Sequence, residues 1–376
     1  MASTVANAAT AETTRGQAAA GGQATIPIQR AAVLKPKPKD SELGFGTSFT
    51  DHMFLMEYDE GRGWHDARIE PYRTLSLDPA AAVLHYAQAV FDGLKAFRAR
   101  DGKVRIFRPD KHAERMIGSA RRMCIPALDR DFVVRSWVTL VGLEQAWVPG
   151  ARGTALYIRP TIIATEPFLG VRPAKQYLYY VILSPVGAYY PEGMNPVKIK
   201  VETQYVRAVE GGVGWAKTAG NYAASLLAAE EAHHEGFTQV LWLDGVHRKY
   251  VDEVGTMNIM FRIGDEVVTP PLTGAILPGV TRDSALTILR EWGVRVTERR
   301  ISIDEVVEAA DRGTLREVWG TGTAAVISPV GELAYQGRRI VINDGQTGEL
   351  TQRLYDEITA IQYGDKPDTR AWLVEV

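Results

Sequence analysis

One lysine stands in a stretch of glycines and small residues that suits chemistry on an amine. The stretch covers residues 211–222 and reads GGVGWAKTAGNY, with Lys217 near its centre. Glycines permit tight backbone turns, and apolar neighbours such as Trp215 can keep water from the amine. A desolvated lysine has a lowered pKa and can act as a nucleophile or a base. The alternative is a flexible loop with a solvated lysine, and this stretch alone leaves both interpretations open.

The same stretch also approaches the phosphate-binding P-loop pattern G-x-x-x-x-G-K-[ST]. In that interpretation residues 240–244 would be the apolar strand that ends in a metal-binding aspartate. Two features oppose it. Ala216 replaces the last glycine of the pattern, and Gly220 with Asn221 is expected to interrupt the helix that should follow the lysine. Nucleotide binding is therefore kept only as the alternative from a different functional class.

The composition is that of an ordinary globular protein. The chain has 376 residues, of which 45% are hydrophobic and 23% charged, enough for two domains with a sizeable core. The net charge of -2 offers no basic field for nucleic acid, and no apolar run is long enough to cross a membrane. The single Cys124 excludes an intramolecular disulfide, and we expect its thiol to be buried and inert. The adjacent His233 and His234 cannot face one metal from the same side of a helix, so no metal site is predicted.

The first 40 residues differ in composition from the rest. Residues 1–40 are rich in Ala, Thr and Gly and bury little apolar surface, which predicts a disordered extension, with folded sequence beginning near Phe45. The segment has few acidic residues, as organelle transit peptides do, but it also has few arginines and no clear amphipathic helix. We therefore expect a cytoplasmic protein, with an organelle matrix as the alternative location.

Residues 41–186 predict a smaller α/β domain. A helix is expected over 78–90, opened by an Asp-Pro pair, followed by a hairpin over 94–108. Asp110 is expected to cap a second helix. Arg115 on that helix is either a surface charge or a group that reaches an anion.

An apolar strand is predicted over 156–163. Tyr157 and Arg159 are two residues apart on it, so both side chains point to one side of the sheet. An arginine in such a strand is seldom buried without a partner, and a solvated edge strand is the alternative. The turn-forming residues 187–196 then predict an interdomain linker.

Residues 197–376 predict a larger α/β domain that carries Lys217. A helix is expected over 223–235. A second helix begins near Val280 after a glycine, and its free N–H groups suit a phosphate. Residues 319–324 add another exposed run of N–H and hydroxyl donors.

Six separate stretches resemble the branched-chain amino-acid aminotransferases, a fold type IV family that uses pyridoxal 5'-phosphate (PLP). They are FGTSFTDHM at 45–53, FDGLKAF at 91–97, YIRP at 157–160, the lysine stretch at 211–222, EVGTMN at 253–258 and LPGV at 277–280. They keep the family's order and cover the chain from about residue 42 to its C-terminus; EVGTMN and GNY are the specific pieces. The resemblance implies a two-domain α/β fold of the D-amino-acid aminotransferase type, an active site between the domains, and a homodimer.

The resemblance also implies which residues bind the cofactor. Lys217 would form the Schiff base with PLP and then move the proton between the substrate and the cofactor. Glu253 would keep the pyridine nitrogen protonated, so that the ring accepts electrons, and Tyr222 would donate to the phenolic oxygen. The phosphate would be held by the Arg115 guanidinium bidentately, the backbone N–H groups of Val280 and Thr281, and the Thr323 hydroxyl.

For the substrate, the resemblance implies a carboxylate site and an apolar pocket. Thr256 and the N–H of Ala324 would hold the α-carboxylate. The wall of the pocket would be formed by Phe45, Tyr86 and Tyr157, with Leu169 and Val171, like Tyr86, coming from the partner subunit. Arg159 would pair with the side-chain carboxylate of glutamate, because an apolar pocket alone rejects that charge.

The expected activity is reversible amino-group transfer between L-leucine, L-isoleucine or L-valine and 2-oxoglutarate. Within the fold type, a D-amino-acid aminotransferase or an aminodeoxychorismate lyase is the nearest alternative. The expected partners are these small molecules and a second subunit, without nucleic acid or membrane. Vertebrate members carry a Cys-x-x-Cys pair where Ala325 and Ser328 stand here, so thiol redox control is expected to be absent.

Overall fold

The computed structural model describes residues 25–187 and 194–376. Within these ranges the strands form two sheets, one mainly from each half of the chain. The first sheet contains β1 (His52–Asp59), β2 (Gly63–Pro71), β3 (Ala89–Phe91), β4 (Leu94–Arg98), β5 (Val104–Phe107), β6 (Ala155–Ala164), β7 (Gln176–Val186) and the C-terminal β17 (Leu373–Glu375). The second contains β8 (Val197–Val201), β9 (Gln239–Leu243), β10 (Val251–Val254), β11 (Asn258–Ile263), β12 (Glu266–Thr269), β13 (Arg295–Glu298), β14 (Leu315–Gly322), β15 (Val326–Tyr335) and β16 (Arg338–Val341).

Eight α-helices surround these sheets in the described part of the chain. They are α1 (Ala82–Tyr86), α2 (Pro109–Arg122), α3 (Arg130–Leu143), α4 (Ala219–Ala223), α5 (Leu226–His234), α6 (Val280–Glu291), α7 (Ile303–Asp311) and α8 (Glu349–Gln362). Helix α2 has the expected amphipathic pattern, with Ala113, Met116 and Ala120 buried. Among the described helices, none combines the length and the apolar composition needed to cross a bilayer.

The first sheet runs β17-β5-β4-β6-β7-β1-β2, with antiparallel neighbours, so β6 is an internal strand. This overturns the solvated-edge alternative for the strand of Tyr157 and Arg159. The second sheet mixes antiparallel pairs with parallel pairs, such as β8 with β9. A shared apolar cluster contains Phe97 and Phe107 of the first sheet together with Leu289 of α6 and Leu354 of α8. The two halves of the chain are thus packed against each other.

The expected disorder before residue 41 is wrong for its second part. Residues 25–40 lie along the first sheet, where Ile26 is buried and Ile69 forms backbone hydrogen bonds with Pro27 and Gln29. The backbone N–H of Lys35 also donates to Asp51 Oδ1 at 2.7 Å. The rest of the predicted extension lies outside the described residues, as do residues 188–193 of the predicted linker. The domain boundaries stay a prediction.

Two predicted helix starts in the first half are wrong. The helix expected over 78–90 is only α1, because Asp78 Oδ1 accepts from Ala80 N at 2.8 Å and forms a local turn. Helix α2 begins at Pro109 after Arg108, whose backbone is left-handed at φ 49°. Asp110 lies inside the first turn instead of capping it.

Two further expectations fail around the lysine stretch and the cysteine. The helix expected over 223–235 is split into α4 and α5, and α4 already begins at Ala219. The expectation that Gly220 and Asn221 interrupt a helix after the lysine is therefore wrong. Cys124 is exposed and has a left-handed backbone at φ 54°, so the expected burial of its thiol is also wrong. It follows the end of α2, and the next residue, Ile125, is buried in the core.

Candidate active site

A cavity of about 350 Å³ is lined by residues from both halves of the chain. The predicted site residues that line it are Phe45, Arg115, Tyr157, Arg159, Lys217, Tyr222, Glu253, Thr256, Val280, Thr281, Thr323 and Ala324. They come from separate stretches of sequence, so the fold alone brings them together.

Three predicted residues lie elsewhere on this chain. Tyr86, Leu169 and Val171 are exposed, the last two by 62% and 86%, and none of them lines the cavity. The Tyr86 hydroxyl donates to the backbone carbonyl of Leu169, so two of the three are in direct contact. They form an exposed apolar patch of the kind that marks interaction sites.

Lys217 directs its amine into the cavity between two aromatic rings. Its Nζ donates to the Tyr222 hydroxyl at 2.6 Å and lies 4.9 Å from the ring centres of both Phe91 and Tyr222. These two rings line the cavity beside the amine, whereas Trp215, expected to shield it, is not part of the cavity lining. Burial, followed by the charge of Arg115, lowers the pKa of Lys217 to about 8. A substantial neutral fraction of the amine is then present near neutral pH, as a nucleophile or base requires.

The backbone around Lys217 is fixed by residues of the first half. The Lys217 N–H donates to Ser119 Oγ at 2.9 Å, and its carbonyl accepts from the Phe91 N–H at 3.0 Å. The Thr218 hydroxyl donates to the Ala89 carbonyl at 2.7 Å. The lysine stretch is therefore held in place, which rules out the flexible-loop interpretation.

Glu253 is held by three donors at the end of β10. Its Oε1 accepts from Asn258 Nδ2 at 2.9 Å and from the Leu277 N–H at 3.0 Å, and its Oε2 lies 2.6 Å from Arg207 Nε. Burial raises the pKa of Glu253, while the Arg207 guanidinium opposes that rise. The sequence did not reveal Arg207, because it lies in an irregular segment without a motif.

Arg115 is buried and bound to a buried aspartate. Its Nε and Nη2 donate to the two carboxylate oxygens of Asp92 at 2.9 and 2.8 Å, and His112 Nδ1 lies 2.7 Å from the same carboxylate. Burial alone would raise the pKa of Asp92, but Arg115 and His112 hold it well below its usual value. Arg115 is thus not a surface charge. Asp92 stands in the FDGLKAF stretch, and an acidic residue among apolar ones was the signal that could have revealed it.

The N-terminus of α6 adds free backbone donors to the same wall. The helix begins at Val280 after Gly279, and no side chain caps it. Its first N–H groups therefore have no partner inside the helix, and Val280 and Thr281 line the cavity. Position 279 requires glycine, because a Cβ there would lie 2.0 Å from Asn258 Oδ1.

Tyr157 and Arg159 of β6 line another part of the cavity wall. Arg159 Nη2 donates to the Tyr157 hydroxyl at 3.1 Å, and its guanidinium lies 4.9 Å from the Phe91 ring centre. The ring of Phe45 meets that of Tyr157 edge-on at 5.1 Å. Arg159 Nε is buried and has no acceptor among the described residues. The Thr321 hydroxyl is also buried and has no hydrogen-bond partner among them. The wall therefore combines aromatic surface with unsatisfied donors.

The donor set fits an aromatic ligand that carries a phosphate. One cavity brings together three kinds of group that bind anions. They are the cationic side chains of Arg115, Arg159 and Lys217, an uncapped helix N-terminus, and unpaired buried donors. Such groups stabilise anions. Glu253 supplies the carboxylate in the described lining of this cavity, and a carboxylate is the partner that a protonated ring nitrogen needs.

Asp244, the metal-binding aspartate of the P-loop interpretation, has a different role in the structure. Both oxygens of Asp244 accept backbone N–H groups of its own loop, at 2.7 Å from His247 and 2.8 Å from Tyr250 among others. This carboxylate stabilises the turn that it begins. In addition, β8 ends at Val201, so no described strand leads directly into the lysine stretch as a P-loop requires.

Comparison with known proteins defines the class. Residues 89–333 match the family model described as amino-transferase class IV. The chain therefore belongs to the amino-transferase class IV family, and its mixed α/β architecture with two sheets agrees with that assignment.

Within this family the chain is similar to branched-chain amino-acid aminotransferases. It is 54% identical over 352 residues to branched-chain-amino-acid aminotransferase 2 of Bacillus subtilis, covering 94% of this chain and 97% of the relative. The structure resembles the branched-chain amino acid aminotransferase of Escherichia coli with a TM-score of 0.73 and 25% identity, over 86% of this chain and 98% of that one. Its fold also resembles that of the branched-chain amino acid aminotransferase from Thermobaculum terrenum in its PLP form, with a TM-score of 0.70 and 23% identity, over 86% and 97% of the two chains. The resemblance found in the sequence and the expected fold type are both confirmed.

Proposed function

We propose that this protein is a branched-chain amino-acid aminotransferase that moves the amino group reversibly between L-leucine, L-isoleucine or L-valine and 2-oxoglutarate. The observation that carries the proposal is the Lys217 amine, with its pKa lowered to about 8, in a cavity whose donors fit a phosphate-bearing ring. The identity of 54% to the Bacillus subtilis relative supports the choice of substrates.

Each residue of the cavity has its own role in binding the cofactor or assisting its chemistry. PLP, when bound, supplies the aldehyde that takes the amino group and a ring that accepts electrons. Lys217 would hold the cofactor through its amine and, when that amine is free, would take up and return the proton of the substrate's α-carbon. Glu253 would keep the ring nitrogen protonated, because its own charge is stabilised by Arg207 and two further donors. Tyr222 would donate to the phenolic oxygen. Arg115 would bind the phosphate through Nη1 and not bidentately as expected, because its Nε and Nη2 already donate to Asp92. The free N–H groups of α6 and the Thr323 hydroxyl would bind the phosphate as well.

The substrate is held at two ends. Thr256 and the Ala324 N–H bind the α-carboxylate, which both classes of substrate share. The side chain lies against Phe45 and Tyr157, and Arg159 neutralises the second carboxylate when the substrate is glutamate. One pocket thus serves an apolar and an acidic side chain in turn.

We also propose that the pocket is completed in a homodimer. Tyr86, Leu169 and Val171 form an exposed apolar patch on one subunit, and in a dimer this patch would close the pocket of the partner. In sedimentation equilibrium, the wild type should be a dimer. Leu169→Glu should shift the protein toward monomer and lower the rate with leucine, whereas Val33→Glu, at an exposed apolar position outside the patch, should do neither. A fully active monomer would contradict the proposal. The cytoplasmic location stays a prediction.

The test of the activity follows nitrogen from donor to acceptor. ¹⁵N-L-leucine is incubated with 2-oxoglutarate and purified protein, and ¹⁵N-glutamate is measured by mass spectrometry. Wild type should form it at a rate that Lys217→Ala abolishes, whereas Lys111→Ala, a change at an exposed lysine of α2, should have no effect. Faster transfer from D-leucine, or pyruvate formation from aminodeoxychorismate, would favour the other fold type IV enzymes. Thermal stabilisation by ATP without amino transfer would favour nucleotide binding.

A further inference from the structure

A turn separates the cavity of the active site from a second cavity of about 220 Å³. The turn contains Thr323, Ala324 and Ala325, and the last two line both cavities. On the far side, Lys95 of β4 donates a hydrogen bond from its Nζ to the Ala324 carbonyl at 2.6 Å. The wall that is proposed to receive the substrate carboxylate is thus supported from behind by an ammonium group.

Lys95 is in an environment that does not favour a charge. The side chain is only 8% exposed, and among the described residues its ammonium has neither a carboxylate partner nor any acceptor besides Ala324. Burial lowers its pKa to about 8. Burying an ammonium against one neutral acceptor is unfavourable, and an apolar side chain of similar length would avoid this loss. The presence of a lysine at this buried position therefore indicates a role for its hydrogen bond to the Ala324 carbonyl.

The turn itself is strained at its next residue. Val326 has a left-handed backbone, φ 63°, which is rare for a β-branched side chain. Such strain persists only where the surrounding structure enforces it, and it concentrates at functional sites. The N–H groups of Ala324 and Ala325 have no acceptor in the described part of the chain. The turn is thus held in an unfavourable shape that leaves two donors free.

The direction of these donors follows from the planarity of the peptide bond. In a trans peptide the carbonyl and the N–H of the next residue point in opposite directions, and no described peptide bond is cis. Because the Ala324 carbonyl is directed at Lys95, the Ala325 N–H points away from Lys95. The cavity of the active site is the other cavity that Ala325 lines.

We propose that Lys95 is a positioning residue: by holding the Ala324 carbonyl it aims the Ala325 N–H, beside that of Ala324, at the α-carboxylate of the substrate. This rests on the proposed function, since it needs a substrate with an α-carboxylate at that wall. Lys95 touches neither the substrate nor the cofactor. Its effect is confined to how strongly the turn binds a carboxylate.

The test compares two ligands that differ only in the group facing the turn. 4-Methylpentanoate has the carbon skeleton and carboxylate of leucine without the amino group, and 4-methylpentanamide is its neutral counterpart. Both are titrated into the PLP-loaded wild type, Lys95→Met and Lys95→Arg, with calorimetry as the readout. Arg98→Met is the control, because Arg98 is on the same strand and also donates to backbone carbonyls, those of Val148, Gly102 and Gln145, away from the cavity.

In Lys95→Met, the dissociation constant of 4-methylpentanoate should rise by roughly tenfold, as expected for one lost hydrogen bond to a charged group, while that of the amide changes by less than about twofold. The KM for leucine should rise with it, while kcat and the affinity for PLP stay near the wild-type values. Lys95→Arg should restore much of the binding, and Arg98→Met should bind both ligands normally. If Lys95→Met does not retain PLP, Lys95→Leu removes the same hydrogen bond to the Ala324 carbonyl and should give the same difference between the two ligands.

Equal weakening of the acid and the amide, or unchanged binding of the acid, would overturn the role of Lys95. Failure of the proposed function has a different signature, because the wild type itself would then not transfer nitrogen from leucine. The two failures are therefore distinguishable in one set of proteins.

Discussion

Replacing Arg159 by methionine should separate the two kinds of substrate that the pocket accepts. In the structure the guanidinium is bonded through Nη2 to the Tyr157 hydroxyl, while its buried Nε has no acceptor among the described residues. With an apolar substrate the arginine keeps the Tyr157 hydroxyl and the Phe91 and Tyr157 rings as neighbours. With glutamate it gains a carboxylate. The mutation therefore removes an interaction that only the acidic substrate makes.

The magnitude follows from the bond that is lost. A hydrogen bond to a charged group contributes about 1.5–3 kcal/mol. At about 1.4 kcal/mol per tenfold, kcat/KM for glutamate and 2-oxoglutarate should fall by roughly 10- to 150-fold. The values for leucine and its 2-oxo acid should change by less than about threefold, because these substrates have no second carboxylate for Arg159 to bind, and the Tyr157 hydroxyl loses its donor with either kind of substrate.

The assay measures kcat/KM for all four substrates in wild type, Arg159→Met and Arg159→Lys. Arg159 also contributes to lowering the pKa of Lys217, but the ratio of glutamate to leucine cancels this effect, since both substrates use the same amine. Arg159→Lys keeps the charge and should give an intermediate ratio. Equal losses for glutamate and leucine would refute the reasoning and would mean that Arg159 acts on the shared α-carboxylate or on the fold.

Three further outcomes are expected. Glu253→Gln should retain PLP but slow the single-turnover reaction with leucine by at least about tenfold, because it removes the anion that faces the ring nitrogen and leaves Arg207 without its partner; an unchanged rate would count against this. In the apoprotein, trinitrophenylation of Lys217, followed by peptide mapping, should become faster as pH rises and level off above pH 8, because its pKa is lowered to about 8; a rate still rising at about pH 10 would mean an ordinary lysine. Mild peroxide should oxidise the exposed Cys124 without loss of activity, because this thiol does not line the cavity, and a loss that a thiol reductant reverses would contradict this.

The sequence predicted the site better than it predicted the elements that carry it. Lys217 and Arg159 are recognisable as charged residues among glycine-rich or apolar neighbours, whereas Glu253 is identified only through the resemblance of the EVGTMN stretch to the family. Asp92, the partner of Arg115, and Arg207, the partner of Glu253, were not identified, because only tertiary contacts show what they bind. These contacts join residues that are far apart in sequence. Arg207 and Glu253, for example, form an ion pair although they are 46 positions apart.

The wrong helix boundaries have local causes. Asp78 and Asp110 both have the side chain of a helix cap, but Asp78 forms a turn with Ala80, and Pro109 already begins α2. Cap residues favour several local structures, and tertiary contacts decide between them. Residues 25–40 were expected to be disordered because their composition is poor in apolar residues. They are held by backbone pairing of Pro27 and Gln29 with Ile69, and by hydrogen bonds of Lys35 with Asp51 and of Asp40 with Gly150.

The measurement that tests the central claim most directly is borohydride reduction of the purified protein, followed by peptide mapping. Two buried lysines, Lys217 and Lys95, have pKa values lowered to about 8, so amine reactivity alone does not choose between them. The geometry does, because only Lys217 lines the cavity with Glu253 and the N-terminus of α6. The reduced cofactor should be found on the peptide that contains Lys217 and on no other. Cofactor on Lys95, or a protein that binds no PLP, would contradict the account.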